Sequence, residues 1–354
     1  MEVYNEISFQ SFFYEFVTNP SIFIITLLTM GVIMVNGWTD APNAIATCIS
    51  TRSINPRGAI VLAAIFNFLG VLIMTMINST VVHTIYNMVD FRGNTHDSLV
   101  ALAAALLAIV LWATLAWAFG IPTSESHALI AGLSGAAIAL QGGMSGINRN
   151  EWIKVIYGLL ISTFLGFGMG FVMVRWIELL FKRTDRRGII SFFHKAQIVA
   201  AAAMAFMHGA QDGQKFMSVF MLGIFLTKGQ DEVTSFVIPV WLMLLCSMVM
   251  ALGTSIGGYR IIKTVGIRMV KLKTYQGFSA DMAGAVSLLI ASLFGIPVST
   301  THTKTTAIMG VGASKSLSSV NWYVVREMVV AWILTFPGCS TIGYIMVLIL
   351  MEIF

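Results

Sequence analysis

The sequence predicts an all-α integral membrane protein that crosses the bilayer about ten or more times, and three observations predict it. The chain of 354 residues is 57% hydrophobic and only 10% charged. Its mean hydropathy of +0.84 lies well above that of a water-soluble domain. Apolar stretches of roughly 20 residues, the length of a bilayer-crossing helix, recur along the chain. They are continuous and do not alternate polar with apolar residues, which favours helices over a membrane barrel.

Glycine, proline and charged residues interrupt these stretches and set the boundaries of the spans. The first set of predicted spans lies at 20–50, 58–81, 98–120, 124–141 and 151–181. The second set lies at 190–226, 235–258, 277–295, 299–314 and 321–352. In each set the first span is long and interrupted and the fourth is short. We therefore expect broken helices or re-entrant hairpins at these places.

The two sets share sequence. The segment Gly120–His127 recurs as Gly295–His302 at an offset of 175, with Gly, Ile, Pro, Ser and His matching. The segment Asn36–Asp40 recurs more faintly as His208–Asp212 at an offset of 172. Two matches in the same order at nearly the same offset indicate a duplication. Because each copy holds an odd number of spans, the second copy is predicted to insert upside down.

The duplication divides the chain into a first membrane repeat at 1–181, a basic linker at 182–189 and an inverted second repeat at 190–354. Lys and Arg concentrate in cytoplasmic loops. The odd-numbered loops carry twelve basic residues: Arg52, Arg57, Lys182, Arg183, Arg186, Arg187, Arg260, Lys263, Arg268, Lys271, Lys273 and Lys315. The even-numbered loops carry four: Arg92, Arg149, Lys154 and Lys228. We predict a multi-pass protein of the plasma membrane with both termini outside. A re-entrant segment would change the number of crossings and therefore the predicted side of the loops and termini.

Composition argues against several classes of function. The net charge of +5 is typical of basic loops beside a bilayer, so no nucleic-acid partner is predicted. Cys48, Cys246 and Cys339 lie scattered in apolar surroundings, which favours buried thiols over a disulfide framework or metal cluster. The chain shows no nucleophile with a base at helical spacing, so neither an enzyme nor a cofactor is predicted. A homodimer is possible.

Asp40 and Asp212 are the sharpest candidates for a functional site. Ionisable groups inside a membrane are costly and usually mark ion or substrate paths. Each aspartate lies near a glycine in an otherwise apolar segment, where Gly and Pro favour a broken helix. A break frees carbonyls that can, with the carboxylate, coordinate Na⁺ or receive a proton. The alternative is that each aspartate only caps the following helix, but recurrence in both repeats favours function.

The repeated Pro-x-Ser-x-(Ser/Thr)-His elements suit an oxyanion, because hydroxyls and unpaired backbone N–H groups gather at a helix start. The hydroxyls are those of Ser124, Ser126, Ser299, Thr300 and Thr301. Two such starts from opposed repeats are predicted to converge near the midplane as a cradle for a tetrahedral anion. The alternative for each hydroxyl is helix packing or back-bonding.

Four further polar residues lie close to these elements. His127 and His302 each stand alone on a helix, which favours a role in holding helices together over metal ligation. The amide of Asn43 either caps a helix or donates to a substrate. Lys215 follows Asp212 by about one helical turn, so it either pairs with that carboxylate or meets the anion.

Taken together, these residues resemble the inorganic phosphate transporter family usually abbreviated PiT, and within it the bacterial-type low-affinity phosphate permeases. The resemblance rests on four ordered elements: Thr39–Thr47, His208–Lys215, Gln276–Asp281 and Pro297–His302. It implies a secondary active symporter that moves inorganic phosphate with Na⁺ or H⁺ by alternating access. The same hydroxyl cradle leaves open a permease for sulfate or a divalent metal–phosphate complex.

The resemblance also assigns residues to roles. It implies that Asp40 and Asp212 handle the coupling ion or proton, as ligands if that ion is Na⁺, and we add Thr47 and Glu125 to this group. It implies phosphate binding by Asn43, Ser124, Ser126, Ser299, Thr300 and Thr301, and we add Lys215 to this group.

The sequence departs from the family's pattern at several positions. Thr39 and Gln211 stand where the family commonly has Asn, and Lys304 adds a charge beyond His302. Glu125 stands where a small hydroxyl residue is usual. Our hypothesis is that Glu125 carries the coupling proton, binds a cation, or pairs with Lys304 or Lys215. The alternative is that it faces the aqueous vestibule.

Overall fold

The computed structural model describes residues 7–91, 93–121, 123–184, 186–229, 236–256 and 258–354. Arg92 and Pro122, which the sequence arguments use, and Asp185 of the basic linker lie outside these ranges, as do the side chains of Arg186 and Arg187. The three cysteines are buried, as the sequence predicts.

The described residues form fourteen α-helices. They are α1 Phe9–Thr18, α2 Pro20–Thr39, α3 Pro42–Ser50, α4 Pro56–Ile77, α5 Thr80–Tyr86, α6 Thr95–Ala118, α7 Glu125–Leu140, α8 Arg149–Leu180, α9 Arg186–Thr227, α10 Val240–Ile256, α11 Tyr259–Lys263, α12 Thr274–Leu293, α13 Thr300–Lys315 and α14 Trp322–Ile353. Short 3₁₀ turns lie at Met144–Gly146 and Leu317–Ser319, and a π-helical turn at Thr264–Arg268.

Seven helical stretches of the described chain are long and apolar enough to span a membrane, and α10 with its bent continuation Tyr259–Arg268 would make an eighth. The seven are Pro20–Ser50, Pro56–Ile77, Thr95–Ala118, Arg149–Leu180, Gly188–Thr227, Thr274–Leu293 and Trp322–Ile353. The predicted class, an all-helical membrane protein, is confirmed. The two remaining predicted spans correspond to α7 and α13, which at 16 residues each are short for a full crossing. The count of ten or more therefore stays a prediction.

The short helices α7 and α13 begin in the same way. α6 and α12 each end in a turn that passes through a glycine in the left-handed region, Gly120 with φ +68° and Gly295 with φ +66°. A Cβ atom makes this conformation costly, so glycine is the residue suited to the turn. The chain then reaches a serine cap, Ser124 or Ser299, and enters the short helix.

The elements that follow the two short helices also correspond. Each helix leads into a 3₁₀ turn, then a residue in an isolated antiparallel bridge, Ile147 with Val89 and Val320 with Val270. The next residue, Asn148 or Asn321, precedes a helix of 32 residues. This agreement in order and length supports a duplicated chain.

The two halves of the chain interlock. α7 of the first half packs on α14 of the second, and α13 of the second half packs on α8 of the first. Likewise α2 packs on α10, and α9 packs on α4. The packing pairs thus follow an approximate two-fold relation. Inversion of the second repeat relative to the membrane, and the domain division at 181 and 190, stay predictions.

The predicted helix breaks differ between the halves. α2 ends at Thr39 and α3 begins at Pro42, so the chain is broken beside Asp40 as predicted. The predicted break at Asp212 is wrong, because α9 runs continuously from Arg186 to Thr227. Pro42 lacks a backbone N–H and favours a helix start. The second segment contains Gly213 but no proline, and an interior glycine costs a helix only about 1 kcal/mol.

Candidate functional site

The starts of α7 and α13 meet inside the protein. Ser124 Oγ accepts a hydrogen bond from the backbone N–H of His127 at 3.3 Å, and Ser299 Oγ accepts one from the N–H of His302 at 3.1 Å. Ser299 Oγ in turn donates to Ser124 Oγ at 2.8 Å. Both serines are buried. The two helix N-termini, with their partial positive charge, therefore converge on one buried point, as the repeated elements predicted.

Asp40 occupies the break between α2 and α3. Its Oδ1 accepts hydrogen bonds from Asn43 Nδ2 at 2.8 Å and from the hydroxyl of Thr301. Thr300 Oγ1 lies 3.4 Å from Oδ2, and Asn43 also donates to Thr301 Oγ1 at 3.1 Å. The break thus presents a buried carboxylate to the start of α13.

Asp212 lies on the continuous helix α9 and faces the same region. Its Oδ2 accepts hydrogen bonds from Thr300 Oγ1 at 3.0 Å and Asn36 Nδ2 at 3.3 Å. Its Oδ1 accepts one from Ser126 Oγ at 3.2 Å. Gly209 lets this part of α9 approach α4, since a Cβ there would lie 2.3 Å from the carbonyl oxygen of Asn67.

Lys215 pairs with Asp212, one of the two alternatives that the sequence left open. The Lys215 Nζ lies 2.7 Å from Asp212 Oδ1, and both side chains are fully buried. It also donates to Ser126 Oγ at 2.6 Å and to the carbonyl oxygen of Val298 at 2.6 Å. An ammonium group has three donors, so all of its hydrogen-bonding capacity is used.

His208, which the site prediction did not include, completes a group that could hold a cation. Ligand atoms of Asp40, His208 and Asp212 all lie within 4.8 Å of one another. Asn67 Nδ2 donates to Thr254, so Asn67 Oδ1 accepts from His208 Nδ1 at 3.1 Å. The other ring nitrogen, Nε2, then lies 3.3 Å from Asp212 Oδ2. A proton or a cation can lie between these two atoms.

Among the described residues, three further buried acceptors around this group lack a hydrogen-bond partner. They are Asn36 Oδ1, Asn43 Oδ1 and Glu125 Oε2. An unsatisfied buried acceptor is costly. A cluster of such oxygens beside two carboxylates fits a site for a cation or for a proton-carrying ligand.

Glu125, the first residue of α7, is 1% exposed, so it does not face an aqueous vestibule. Its Oε1 accepts a hydrogen bond from the hydroxyl of Thr39, which lies just before the break at Asp40. The predicted pairing of Glu125 with Lys304 or Lys215 is wrong, because those lysines pair with Asp281 and Asp212. The carboxyl group of Glu125 therefore lies at the start of a helix, beside the break at Asp40.

A second buried charged cluster lies on α3, α9, α12 and α13. The Lys304 ammonium forms an ion pair with Asp281 Oδ1 and donates to Thr47 Oγ1 at 3.2 Å. Thr47 Oγ1 donates to Asp281 Oδ1 at 2.6 Å, and Gln197 Nε2 donates to Asp281 Oδ2 at 2.5 Å. Thr47, a predicted coupling-ion residue, therefore lies in this second cluster and not beside Asp212.

The two histidines of the repeated elements pack against each other. The rings of His127 and His302 meet edge to face at 4.3 Å, and His302 also lies 3.7 Å from the ring of Trp332. They join α7 to α13 at the point where the helix starts converge. This packing agrees with the predicted role in holding helices together.

The structure thus gathers ten of the eleven predicted site residues around the convergent helix starts. They are Asp40, Asn43, Ser124, Glu125, Ser126, Asp212, Lys215, Ser299, Thr300 and Thr301. The site prediction missed Asn36, Gln197, His208 and Asp281. Three of these four, Asn36, His208 and Asp281, lie in segments that the sequence analysis had identified by repetition or resemblance. Their position as polar residues in such segments was therefore a signal that could have found them. Gln197 carried no signal of this kind.

Comparison with known proteins identifies relatives that match most of the chain. A sequence profile of the phosphate transporter family matches residues 36–343. A Bacillus subtilis protein named a probable low-affinity inorganic phosphate transporter is 37% identical over 94% of this chain and 97% of its own length. A protein of the same name from Rhizobium meliloti is 38% identical, over 87% of this chain and 90% of its own length.

A solved structure has the same fold. It is titled the sodium-dependent phosphate transporter and superposes with a TM-score of 0.86, at 22% sequence identity. The match covers 94% of this chain and 100% of the other.

Proposed function

This chain belongs to the phosphate transporter family, and on that premise we propose that it is a secondary active symporter that moves inorganic phosphate with Na⁺ or H⁺ by alternating access. Its relatives are transporters and not enzymes. The observation that carries the proposal is the meeting of two serine-capped helix starts, at 2.8 Å between Ser124 Oγ and Ser299 Oγ, beside buried carboxylates. Helix starts bind oxyanions, and buried carboxylates bind cations or protons.

In the proposed site, phosphate lies against the hydroxyls at the two helix starts, with Asn43 and the ammonium of Lys215 nearby. The contributing hydroxyls are those of Ser124, Ser126, Ser299, Thr300 and Thr301. This region offers donors from both halves of the chain. The nearest positive charge is the ammonium of Lys215, which already forms an ion pair with Asp212. Hydroxyl and backbone donors would therefore supply most of the contacts to the anion.

Coupling follows from a competition for these donors. The hydroxyls of Thr300 and Ser126 now donate to Asp212, and the hydroxyl of Thr301 donates to Asp40. A cation or proton that binds the two carboxylates occupies their lone pairs and neutralises their charge. The hydroxyls then become free to turn to phosphate, and the repulsion between carboxylate and anion falls. Each ligand thus favours the binding of the other.

We propose that Asp40 and Asp212 bind the coupling cation, as Na⁺ ligands if the ion is sodium. The Nε2 atom of His208, close to Asp212 Oδ2, and the unpartnered oxygens of Asn36 and Asn43 support this assignment. Glu125, buried against Thr39, is proposed to carry a proton or stabilise a cation at the same break. Thr47 is proposed to act through the Asp281 cluster.

The proposed setting is the plasma membrane, with both termini outside and lipid around the apolar helices. A homodimer is compatible with the extensive exposed apolar surface. The same cradle of hydroxyls could accept sulfate or a divalent metal–phosphate complex, and this is the alternative substrate proposal.

The test is uptake of radiolabelled phosphate into proteoliposomes, with an inward Na⁺ gradient or, separately, an inward H⁺ gradient. We expect saturable accumulation that requires one of the two gradients. Vesicles carrying an Asp40→Asn variant are the control. Absence of accumulation under both gradients would contradict phosphate symport, and inhibition by excess sulfate or divalent metal would favour the alternative substrates.

A further inference from the structure

The ammonium of Lys215 lies among oxygens of three different kinds. Its Nζ contacts a carboxylate oxygen of Asp212 at 2.7 Å, the hydroxyl oxygen of Ser126 at 2.6 Å and the carbonyl oxygen of Val298 at 2.6 Å. Val298 immediately precedes the cap of α13, so its carbonyl belongs to the turn before that helix. The three ligands come from α9, from α7 and from this turn.

This set of oxygens is that of a cation site. Transporters coordinate monovalent cations with a carboxylate, hydroxyls and carbonyls that a helix interruption sets free. The three contacts leave the ammonium no free donor for an anion, because each contacting oxygen accepts a hydrogen bond from it. The side chain is fully buried, and its three donors are all used.

We propose that Lys215 is a tethered cation that permanently fills one of two cation positions at Asp212, so that only the other position takes a mobile coupling ion. This inference rests on the proposed cation-coupled transport. The two carboxylate oxygens of Asp212 have different surroundings, and each oxygen therefore defines one of the two cation positions. Oδ1 binds Lys215 and Ser126, whereas Oδ2 faces His208 Nε2, Asn36 and Thr300.

The second cluster repeats the arrangement at another place. The Lys304 ammonium contacts a carboxylate, that of Asp281, and a hydroxyl, that of Thr47. Thr47 was itself predicted to serve the coupling ion. In both clusters a lysine of the chain lies where the polar ligands of a cation come together.

The test removes the tethered cation and counts the ions that replace it. Purified protein would be equilibrated with radioactive ²²Na⁺, with choline chloride as the balancing salt, and bound Na⁺ per chain measured for wild type, Lys215→Ala and Lys215→Arg. Lys215→Ala opens space beside Asp212 Oδ1, so we expect it to bind one more Na⁺ per chain than wild type. Lys215→Arg keeps a positive charge in place, and we expect no additional Na⁺.

An equal Na⁺ count in wild type and Lys215→Ala would overturn the proposal. Thermal unfolding gives a second readout, since NaCl but not choline chloride should raise the unfolding temperature of Lys215→Ala more than that of wild type. If Lys215→Ala fails to fold in NaCl as well as in choline chloride, the proposal is also overturned, because Na⁺ should restore the lost charge. Phosphate uptake by wild-type vesicles tests the proposed function separately. If no uptake is found, the comparison of bound Na⁺ in wild type and Lys215→Ala still tests the role of Lys215.

Discussion

At the scale of single residues, Asp40 and Asp212 each receive hydrogen bonds from the opposite half of the chain. Asp40 accepts from Thr301 of the second half, and Asp212 accepts from Asn36 and Ser126 of the first. Neither half could build this arrangement alone. The two carboxylates differ in one respect, because Asp212 pairs with a buried ammonium, whereas the donors to Asp40 are neutral side chains.

This difference predicts unequal effects of neutralising the two carboxylates. Asp212→Asn leaves Lys215 buried without its counter-charge, and breaking a buried pair by removing one partner typically costs about 3–5 kcal/mol. Asp40→Asn strands no cation, so its cost should be about that of weakened hydrogen bonds, roughly 1–3 kcal/mol. We expect both variants to lose phosphate uptake and only Asp212→Asn to unfold at a markedly lower temperature.

The measurement is thermal unfolding of the purified variants beside uptake into vesicles. Asp212→Asn combined with Lys215→Met should recover part of the stability, because it removes both buried charges. Equal unfolding temperatures for Asp40→Asn and Asp212→Asn would contradict the structural distinction between the two carboxylates.

Ser299 gives a prediction that separates binding from helix stability. Ser299→Ala removes the cap of α13, worth about 1 kcal/mol, and a proposed phosphate contact, worth about 1.5–3 kcal/mol for a hydrogen bond to a charged group. We expect the KM for phosphate uptake to rise roughly 10- to 100-fold. Ser287→Ala is the matched control, since that buried hydroxyl donates only to Ala283 O of its own helix, at 2.7 Å. A similar rise in KM for both variants would argue against a phosphate contact at Ser299.

At the scale of helices, the approach of α9 to α4 positions Asp212 and depends on Gly209. A Cβ at this residue would lie 2.3 Å from the backbone oxygen of Asn67, and backbone cannot yield as a side chain does. We expect Gly209→Ala to destabilise the protein by about 1–3 kcal/mol and to lower uptake by shifting His208 and Asp212. Unfolding temperature and uptake rate are the readouts.

Gly31→Ala is the matched control for that variant. Gly31 also lies inside a helix, α2, but nothing lies within 4 Å of the position that its Cβ would take. This substitution should be neutral or stabilise by up to about 1 kcal/mol, as expected for glycine to alanine in an open helix position. Equal destabilisation by both substitutions would mean that helix packing is not the cause.

Sequence patterns predicted the helices well where a local cause was visible. Apolar length located the long spans, Pro42 located the break beside Asp40, and the repeated Gly-Ile-Pro segment located the starts of α7 and α13. The same reasoning failed at Asp212, because glycine only weakens a helix and tertiary packing on α4 stabilises this one. A local sequence pattern predicts a helix break correctly where proline removes a backbone hydrogen-bond donor. It fails where packing against another helix determines whether the helix continues.

The polar partners within the site were harder to predict for a related reason. Lys215 is about one helical turn from Asp212, so the sequence already indicated pairing with Asp212 as one of two alternatives. The partner of Glu125 is Thr39, which lies on another helix, and the partner of Lys304 is Asp281 of α12. Such contacts depend on how whole helices pack. A single sequence carries that information only weakly.

At the scale of the whole molecule, the interlocked packing joins the convergent helix starts to both halves. The site lies where α7, α9, α13 and the α2–α3 break come together, and each short helix packs on a 32-residue helix of the other half. A relative movement of the halves would therefore change the distances among the serine caps and among the carboxylates at the same time. That geometry suits the proposed alternating access, in which opposed repeats rock about a central site.

The predicted inversion of the repeats can be tested at two equivalent positions. Ser145 and Ser318 are exposed and lie in the middle of the 3₁₀ turns that follow α7 and α13. In the predicted topology the first turn is outside, and the second, beside Lys315, is cytoplasmic. A membrane-impermeant maleimide should therefore label Ser145→Cys on intact cells, and Ser318→Cys only after permeabilisation. The wild-type chain, whose three cysteines are buried, gives the background. Labelling of both cysteines from the same side would mean that the two copies insert in parallel, and the proposed site would then need a different account of how opposed helix starts meet.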